Sequence, residues 1–373
     1  MASSKKDEII SEASPHTIKK FELIEAYTIA WARALLGYSE CDGIVFIDCM
    51  SNSGLYYREG THELVEGTPI RVARALESIM REPMYRGKQA WLYFNDMSRA
   101  KIDELRKHLP PNQENFFIET SYINGNDLIR DIGGRLGKGL RFNYLLVYDP
   151  YQATIDWNAL LPFIRNWGEV IINHMVSDTL RAAAQAKRPE TIIKYESTYL
   201  SDIADLVKYG TDKDVLEDRI KKIIMYLKGS KNGSYYIASY PFFNSRNTVV
   251  YHLMHCTTNM KGFKLFKTTA WKTFGGKSSM KRTHNVPGQI QLNLLDDGQL
   301  DYTSATDENC FYISDIAQYL EEQFAGRQGV QLDEMWNLLD ESPVFPSDGF
   351  KDQIKRELEA RGHKKHISTF DFI

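Results

Sequence analysis

Gly43-Ile-Val-Phe-Ile-Asp48-Cys-Met-Ser-Asn52-Ser-Gly54-Leu-Tyr56 is the stretch whose reading decides the fold. Its first six residues form an almost continuous apolar run that closes on a carboxylate, and small, turn-forming residues follow at once. A strand buried in a parallel sheet reads this way, and it delivers its last polar group to the crevice where ligands lie. Ser51, Asn52, Ser53 and Gly54 allow a sharp bend, because Gly and Asn take positive φ at little cost. Many α/β proteins carry such a loop and bind nothing there. Repetition gives the pattern its weight: three later apolar runs also close on acids, at Asp96, Asp127 and Asp149.

Working outward, residues 17–36 carry Phe21, Ile24, Tyr27, Thr28, Trp31 and Leu35 near a helical repeat, with Gly37 as the stop. Lys19 and Lys20 fall at the start of this helix and read as a solvated face. Residues 57–67 read as a polar loop, and Thr68-Pro69 opens a second helix. Strands are expected over 89–95, 115–122, 143–149 and 169–174, with helices between them, including 98–109 and 157–167. Such alternation implies parallel βαβ units. Residues 175–230 read as a helical insertion. Runs at 234–241 and 248–256, joined by a short turn, form an antiparallel pair, and 259–274 is helical again. The expected fold is therefore α/β, a Rossmann-like sheet of parallel strands completed by an antiparallel hairpin strand, the order of class I methyltransferases.

This organisation divides the chain into a loose tail over 1–15, the main domain over 16–274, a connector over 275–309 and a last unit over 310–373. The connector is rich in Gly, Ser, Thr, Asp and Lys, with one alternating run at 289–294 that suits an edge strand. Three helical segments and a short extended end over 366–370 resemble a winged helix-turn-helix.

A net charge of −3 does not steer the whole molecule toward nucleic acid, so any such contact needs a local basic patch. Lys272, Lys277, Lys281 and Arg282 supply one, with His284 beside them. Cys41, Cys49, Cys256 and Cys310 are scattered without metal-finger spacing, which fits a reduced, cytoplasmic protein. The N-terminus lacks the apolar core of a signal peptide, and no apolar run has the length of a membrane span. His252 and His255 lie on alternate faces of their strand, so no metal site is assigned.

Several residues together resemble one family, the three-Cys-motif partner proteins: the helix from Lys19 to Trp31, Asp48 with Gly54-Leu-Tyr56, Asp149-Pro150, and Tyr251-His-Leu-Met-His-Cys-Thr257 followed by Lys267 to Trp271. That family's loop usually reads Asp-Gly-Phe-Ala-Gly-Pro-Gly. Here Cys49 and Asn52 stand where two of its three glycines fall.

The resemblance implies a methyltransferase-like domain that binds S-adenosylmethionine, and a partner protein. Under it Asp48 faces the methionine amino group, Asp96 takes the ribose hydroxyls, and Asn126 with Asp127 approaches the adenine edge, with Asn52 and Gly54 in the loop. For Asp96 and Asp127, capping the next helix is an equally ordinary role. Asp149-Pro150-Tyr151 is the catalytic candidate, by likeness to amino-methyltransferases in which a polar residue, prolines and an aromatic hold a flipped base. Two rivals stand beside this reading: a catalytically inactive methyltransferase fold kept as a nucleic-acid- or protein-binding subunit, and Mg²⁺-dependent phosphoryl transfer or nuclease chemistry by the same acids.

Overall fold

The computed structural model describes residues 9–136, 141–150, 155–165, 168–175, 187–199, 235–243, 249–274 and 312–373. At its centre lies β2 (Gly43–Asp48), buried along its whole length. Ile44 and Phe46 feed the apolar cluster on one face of the sheet, and Val45 and Ile47 the cluster on the other. That alternation explains the unbroken apolar run, since a strand covered on both faces has no solvent side.

Ahead of β2 come β1 (Ser11–Ala13) and α1 (Pro15–Leu36); after it come β3 (Leu55–Arg58), β4 (Leu64–Glu66), α2 (Thr68–Met80), β5 (Gln89–Asn95), α3 (Arg99–Arg106), β6 (Phe116–Ser121) and α4 (Gly125–Arg135). Then follow β7 (Phe142–Tyr148), α5 (Trp157–Arg165), β8 (Gly168–Met175), α6 (Pro189–Tyr199), β9 (Tyr236–Phe243), β10 (Val249–Thr257) and α7 (Met260–Thr273). The large sheet has seven strands in the order β6-β5-β2-β7-β8-β10-β9. β10 runs antiparallel to both β8 and β9, while the pairings from β6 through β8 are parallel. Five parallel strands with an antiparallel hairpin strand is the arrangement that the sequence led us to expect.

Helices α1, α2, α3 and α7 pack on one face, and α4 and α5 on the other. The connections thus change face between β2 and β7, so the crevice of an open α/β sheet falls at the carboxyl ends of those two strands. Asp48 ends β2, and Asp149 directly follows β7. On the first face Tyr27 of α1 donates a hydrogen bond to Oε2 of Glu169 on β8, and His255 Nε2 lies 2.8 Å from the same oxygen. His252, on the other side of β10, pairs with Ser239 Oγ at 3.0 Å.

Two stretches are more ordered than their composition suggests. Residues 57–67, read as a polar loop, contain β4 and the second half of β3, an antiparallel pair. Ser11–Ala13, read as part of a tail, pairs in parallel with Tyr56–Arg58. Ala13, Ile18, Phe21 and Val65 bury one another there, which is what a three-residue strand needs in order to hold. In the span read as an insertion, α6 docks by Thr198, whose Oγ1 accepts from Ile155 N at 3.0 Å. Residues 176–186 and 200–230 of that span, and the edge strand expected at 289–294, lie outside the described residues.

The C-terminal unit consists of α8 (Ile313–Phe324), β11 (Val330–Gln331), α9 (Leu332–Glu341), α10 (Lys351–Ala360), β12 (Lys364–Lys365) and β13 (Thr369–Asp371), the strands ordered β11-β13-β12. Its apolar residues, among them Leu320, Trp336, Leu358 and Phe370, belong to the same cluster as those under α1 and α7. The link is also polar. Lys267 of α7, wholly buried, donates to the carbonyls of Leu339, Asp340, Ser342 and Phe345 at 2.8–3.2 Å. Trp271 Nε1 and Tyr240 OH both donate to Val344 O, at 2.9 and 2.8 Å. No helix among the described residues is long and apolar enough to cross a membrane.

Candidate functional site

The bend after β2 is held by its neighbour strand. Ser51 N donates to Asn95 O at 2.7 Å, and Asn95 Nδ2 donates to the carbonyls of Cys49 and Ile123 at 3.0 and 2.9 Å. One amide thus fixes the loops after β2 and β6 to the end of β5. Asn52 takes φ of 56° and Gly54 of 73°, the left-handed region where Asn and Gly are the tolerant residues. Asn52 folds back on its own loop, its Oδ1 accepting from Ser53 N at 2.9 Å and its Nδ2 donating to Tyr56 OH at 3.3 Å. A Cβ at Gly54 would stand 2.5 Å from Leu105 Cδ1. Cys49 is buried in the cluster below α4 and α5. Both side chains that replace glycines are therefore taken up by the protein itself.

Asp48, Asp96 and Asp149 come together here. All three raise the Tyr56 hydroxyl electrostatically, after burial, which is the largest cause. Asp48 is 4% exposed, and burial lifts its carboxyl to about 7; Met50 N–H opposes the shift, Asp149 and Asp96 add to it, and Lys20 counters it. Asp96 accepts Ser98 N on Oδ1 at 2.8 Å and Asn52 N on Oδ2 at 3.2 Å. It therefore serves both the helix start and the loop.

Asp149 is the more open acid, its side chain 33% exposed. Lys20 Nζ donates to its Oδ2 at 2.5 Å, and Asn173 Nδ2 to its Oδ1 at 2.6 Å. Asn173 is 5% exposed, and its Oδ1 has no hydrogen-bond partner among the described residues. Pro150 is buried, and Tyr151 lies outside the described residues. Tyr148 is part of the core, donating to Asn126 Oδ1 at 3.1 Å, so it offers no stacking platform.

Asp127 does not join the group. It sits in the first turn of α4, is 68% exposed and pairs with Arg130 at 3.0 Å. Its neighbour Asn126 turns to Tyr148, and Asn124 caps the helix. Lys272 is exposed near the end of α7; Lys277, Lys281 and Arg282 lie outside the described residues. Among the described residues no group of three or more His, Cys, Asp or Glu is placed to hold a metal ion.

Lys20 corrects the reading of a solvated face. Its side chain is 9% exposed, and its ammonium lies 5.5 Å from the Tyr251 ring centroid. The signal was present: Lys20, Ile24, Tyr27 and Trp31 follow one helical stripe, and a cation on a buried stripe requires a carboxylate opposite it. Asn173 was missed too, although a polar residue near the end of an apolar strand is the same kind of signal as Asp48.

No family profile matches the sequence, and no curated protein matches it. Among solved structures, a Legionella pneumophila protein of the DUF519 family is 11% identical, with 69% of this chain and 93% of that chain covered, at a TM-score of 0.39. Human methyltransferase-like protein 13 in complex with SAH is 8% identical over 74% of this chain and 99% of that one, at a TM-score of 0.31. The methyltransferase domain of bacterial CtHen1 is 11% identical over 63% of this chain and 99% of that one, at a TM-score of 0.29.

Proposed function

We propose that this chain is a methyltransferase-like protein that binds S-adenosylmethionine at the carboxyl ends of β2, β5 and β7, and that it acts on or binds nucleic acid alongside a partner protein. The observation that carries this reading is the gathering of Asp48, Asp96 and Asp149 around Tyr56, beside a left-handed turn at the point where the sheet connections change face. The donor set fits the group. A sulfonium cation is favoured by an acidic cleft, and ribose hydroxyls are donors of the kind that a carboxylate such as Asp96 accepts. When bound, the cofactor supplies an electrophilic methyl group.

The protein's own share is positional. Asp48 and Asp96 hold the cofactor's polar ends, Asn52 and Gly54 keep the turn, and Asp149 with Asn173 presents acceptors to an incoming amine. The C-terminal helices and small sheet fit a winged-helix module, the part we assign to nucleic acid or to the partner. Calorimetric titration with S-adenosylmethionine tests the reading: heat that saturates in the native chain and vanishes in Asp96→Ala supports it, and no binding by the native chain overturns it.

One observation favours a second reading. Each oxygen of Asp149 already accepts a short hydrogen bond, from Lys20 or from Asn173, which makes it a poorer acceptor for a substrate amine. In this alternative the fold binds cofactor, nucleic acid or partner without turnover. Cofactor binding without methyl transfer to any nucleic acid in the partner's presence would decide for it. The Mg²⁺ reading has no observation among the described residues to carry it.

A further inference from the structure

The run Arg361-Gly-His-Lys-Lys-His-Ile367 contains no acid, and the structure sorts its side chains into anchors and free groups. Gly362, at φ of 99°, turns the chain out of α10 into β12. Arg361 is tied to Glu321 at 2.8 Å and to Glu357 at 3.1 Å. His363 is buried 2.8 Å from Glu321, and His366 lies 2.9 Å from Asp371. Lys364 and Lys365, on the edge strand β12, are exposed, as is Arg356 on α10. None of these three has an ion-pair partner among the described residues.

Helix and hairpin form one surface. The Asp352 carboxyl near the start of α10 is held below its ordinary value first by its hydrogen bond and charge contact with Lys355, and then by the charges of Arg356 and Lys365. Of the acids on α10, Asp352 is taken by Lys355 at 2.6 Å and Glu357 by Arg361, which leaves Glu359, together with Asp371 opposite Lys364 on β13, beside the three exposed cations. At the hairpin tip Ile367 is 100% exposed. An apolar side chain standing clear of a basic rim matches the wedges that enter DNA grooves beside phosphate-binding lysines.

We propose that α10 and the β12–β13 hairpin form a docking surface for duplex DNA, with Arg356, Lys364 and Lys365 on the phosphates and Ile367 against a groove. This deepens the nucleic-acid half of the proposed function and locates it away from Lys272, at a place independent of the cofactor site. Phosphate neutralisation releases condensed counterions, so three contacts give a log-log salt slope of about −2 to −3.

The test is fluorescence anisotropy with the full chain and a labelled duplex of about twenty base pairs, over a salt series. The native chain is expected to bind with that slope, and the triple variant R356A/K364A/K365A, with an unchanged unfolding midpoint, to lose at least tenfold in affinity and most of the slope. Ile367→Ala, which disturbs no buried group, is expected to weaken binding without changing the slope. Undiminished binding by the triple variant removes this surface while leaving nucleic-acid binding intact. No binding by the native chain at low salt removes both. Tighter binding of an RNA duplex, or equal competition by a polyglutamate peptide, overturns the assignment to DNA. Cofactor titration of the same preparations reads the methyltransferase proposal separately.

Discussion

Lys20 Nζ lies 2.5 Å from Asp149 Oδ2, joining the start of α1 to the end of β7 across 129 positions of the chain. The pair sets the charge balance of the cleft: without Lys20, three carboxylates would face one another and Tyr56 with no cation among the described residues to offset them.

Removing one member of the pair is therefore expected to cost more than removing both. Breaking a buried pair costs about 3–5 kcal/mol, and the partial exposure of Asp149 reduces this to about 1–3 kcal/mol for Lys20→Met. The double variant Lys20→Met/Asp149→Asn is expected to recover most of that loss. Urea unfolding of the four proteins of the cycle measures the coupling, and strict additivity would show that the contact is incidental.

Asp48 makes the cleft sensitive to pH near neutrality. Its carboxyl is raised from 3.8 to about 7 by burial in the folded chain. Between those values the folded state binds a proton that the unfolded state has released, so stability falls as pH rises through the window. Asp48→Asn removes the effect. It is expected to match the native chain near pH 4 and to exceed it at about pH 8 by on the order of 2–4 kcal/mol, at about 1.4 kcal/mol per pKa unit. Cofactor affinity gives the opposite slope: a sulfonium favours the ionised acid, so binding by the native chain should tighten from about pH 6 to pH 8 and stay flat in Asp48→Asn. A flat profile in the native chain would place Asp48 outside the cofactor contacts.

The strands were legible because burial on both faces writes itself as an apolar run; β2 and β5 carry the bounds that the sequence gives them. What escaped was pairing at a distance. β1 and β4 are three residues each and hold only because α1 and β3 cover them, which no local pattern announces. In the site, Asp48, Asp96 and Asp149 share one sequence signature and meet in space. Asp127 shares it too, yet it begins a helix at the exposed rim. Its strand, β6, is the edge of the sheet, and strand order is a tertiary fact. Lys20 was misread because its partner is far away in sequence.

The turn after β2 offers a cleaner test of local chemistry. Asn52→Gly keeps the left-handed backbone and loses only the bonds to Ser53 and Tyr56, so a change within about 1 kcal/mol is expected. Asn52→Ala loses the same bonds and also forces a Cβ into that region, at about 1–2 kcal/mol more. If thermal unfolding ranks alanine equal to glycine, the strain argument fails, and with it the claim that Asn52 is here for its backbone.

Lys267 carries the attachment of the C-terminal unit. Burial pushes its ammonium down to about 7, Asp340 opposes that shift and Lys264 adds to it, while four carbonyls and the Phe263 ring at 4.2 Å favour the charged form. Only the ammonium has three donors to share among those oxygens. Lys267→Met fills the same space but leaves buried carbonyls without a donor, at about 1–3 kcal/mol for each group that stays dry. The loss should fall on the strap over 342–349 and on α9, because those backbones hold the accepting oxygens. Hydrogen exchange is expected to quicken in α9 and α10 while β2 and β5 keep their protection. Uniform quickening across the large sheet would mean that Lys267 supports the whole core and is no clamp between its two parts.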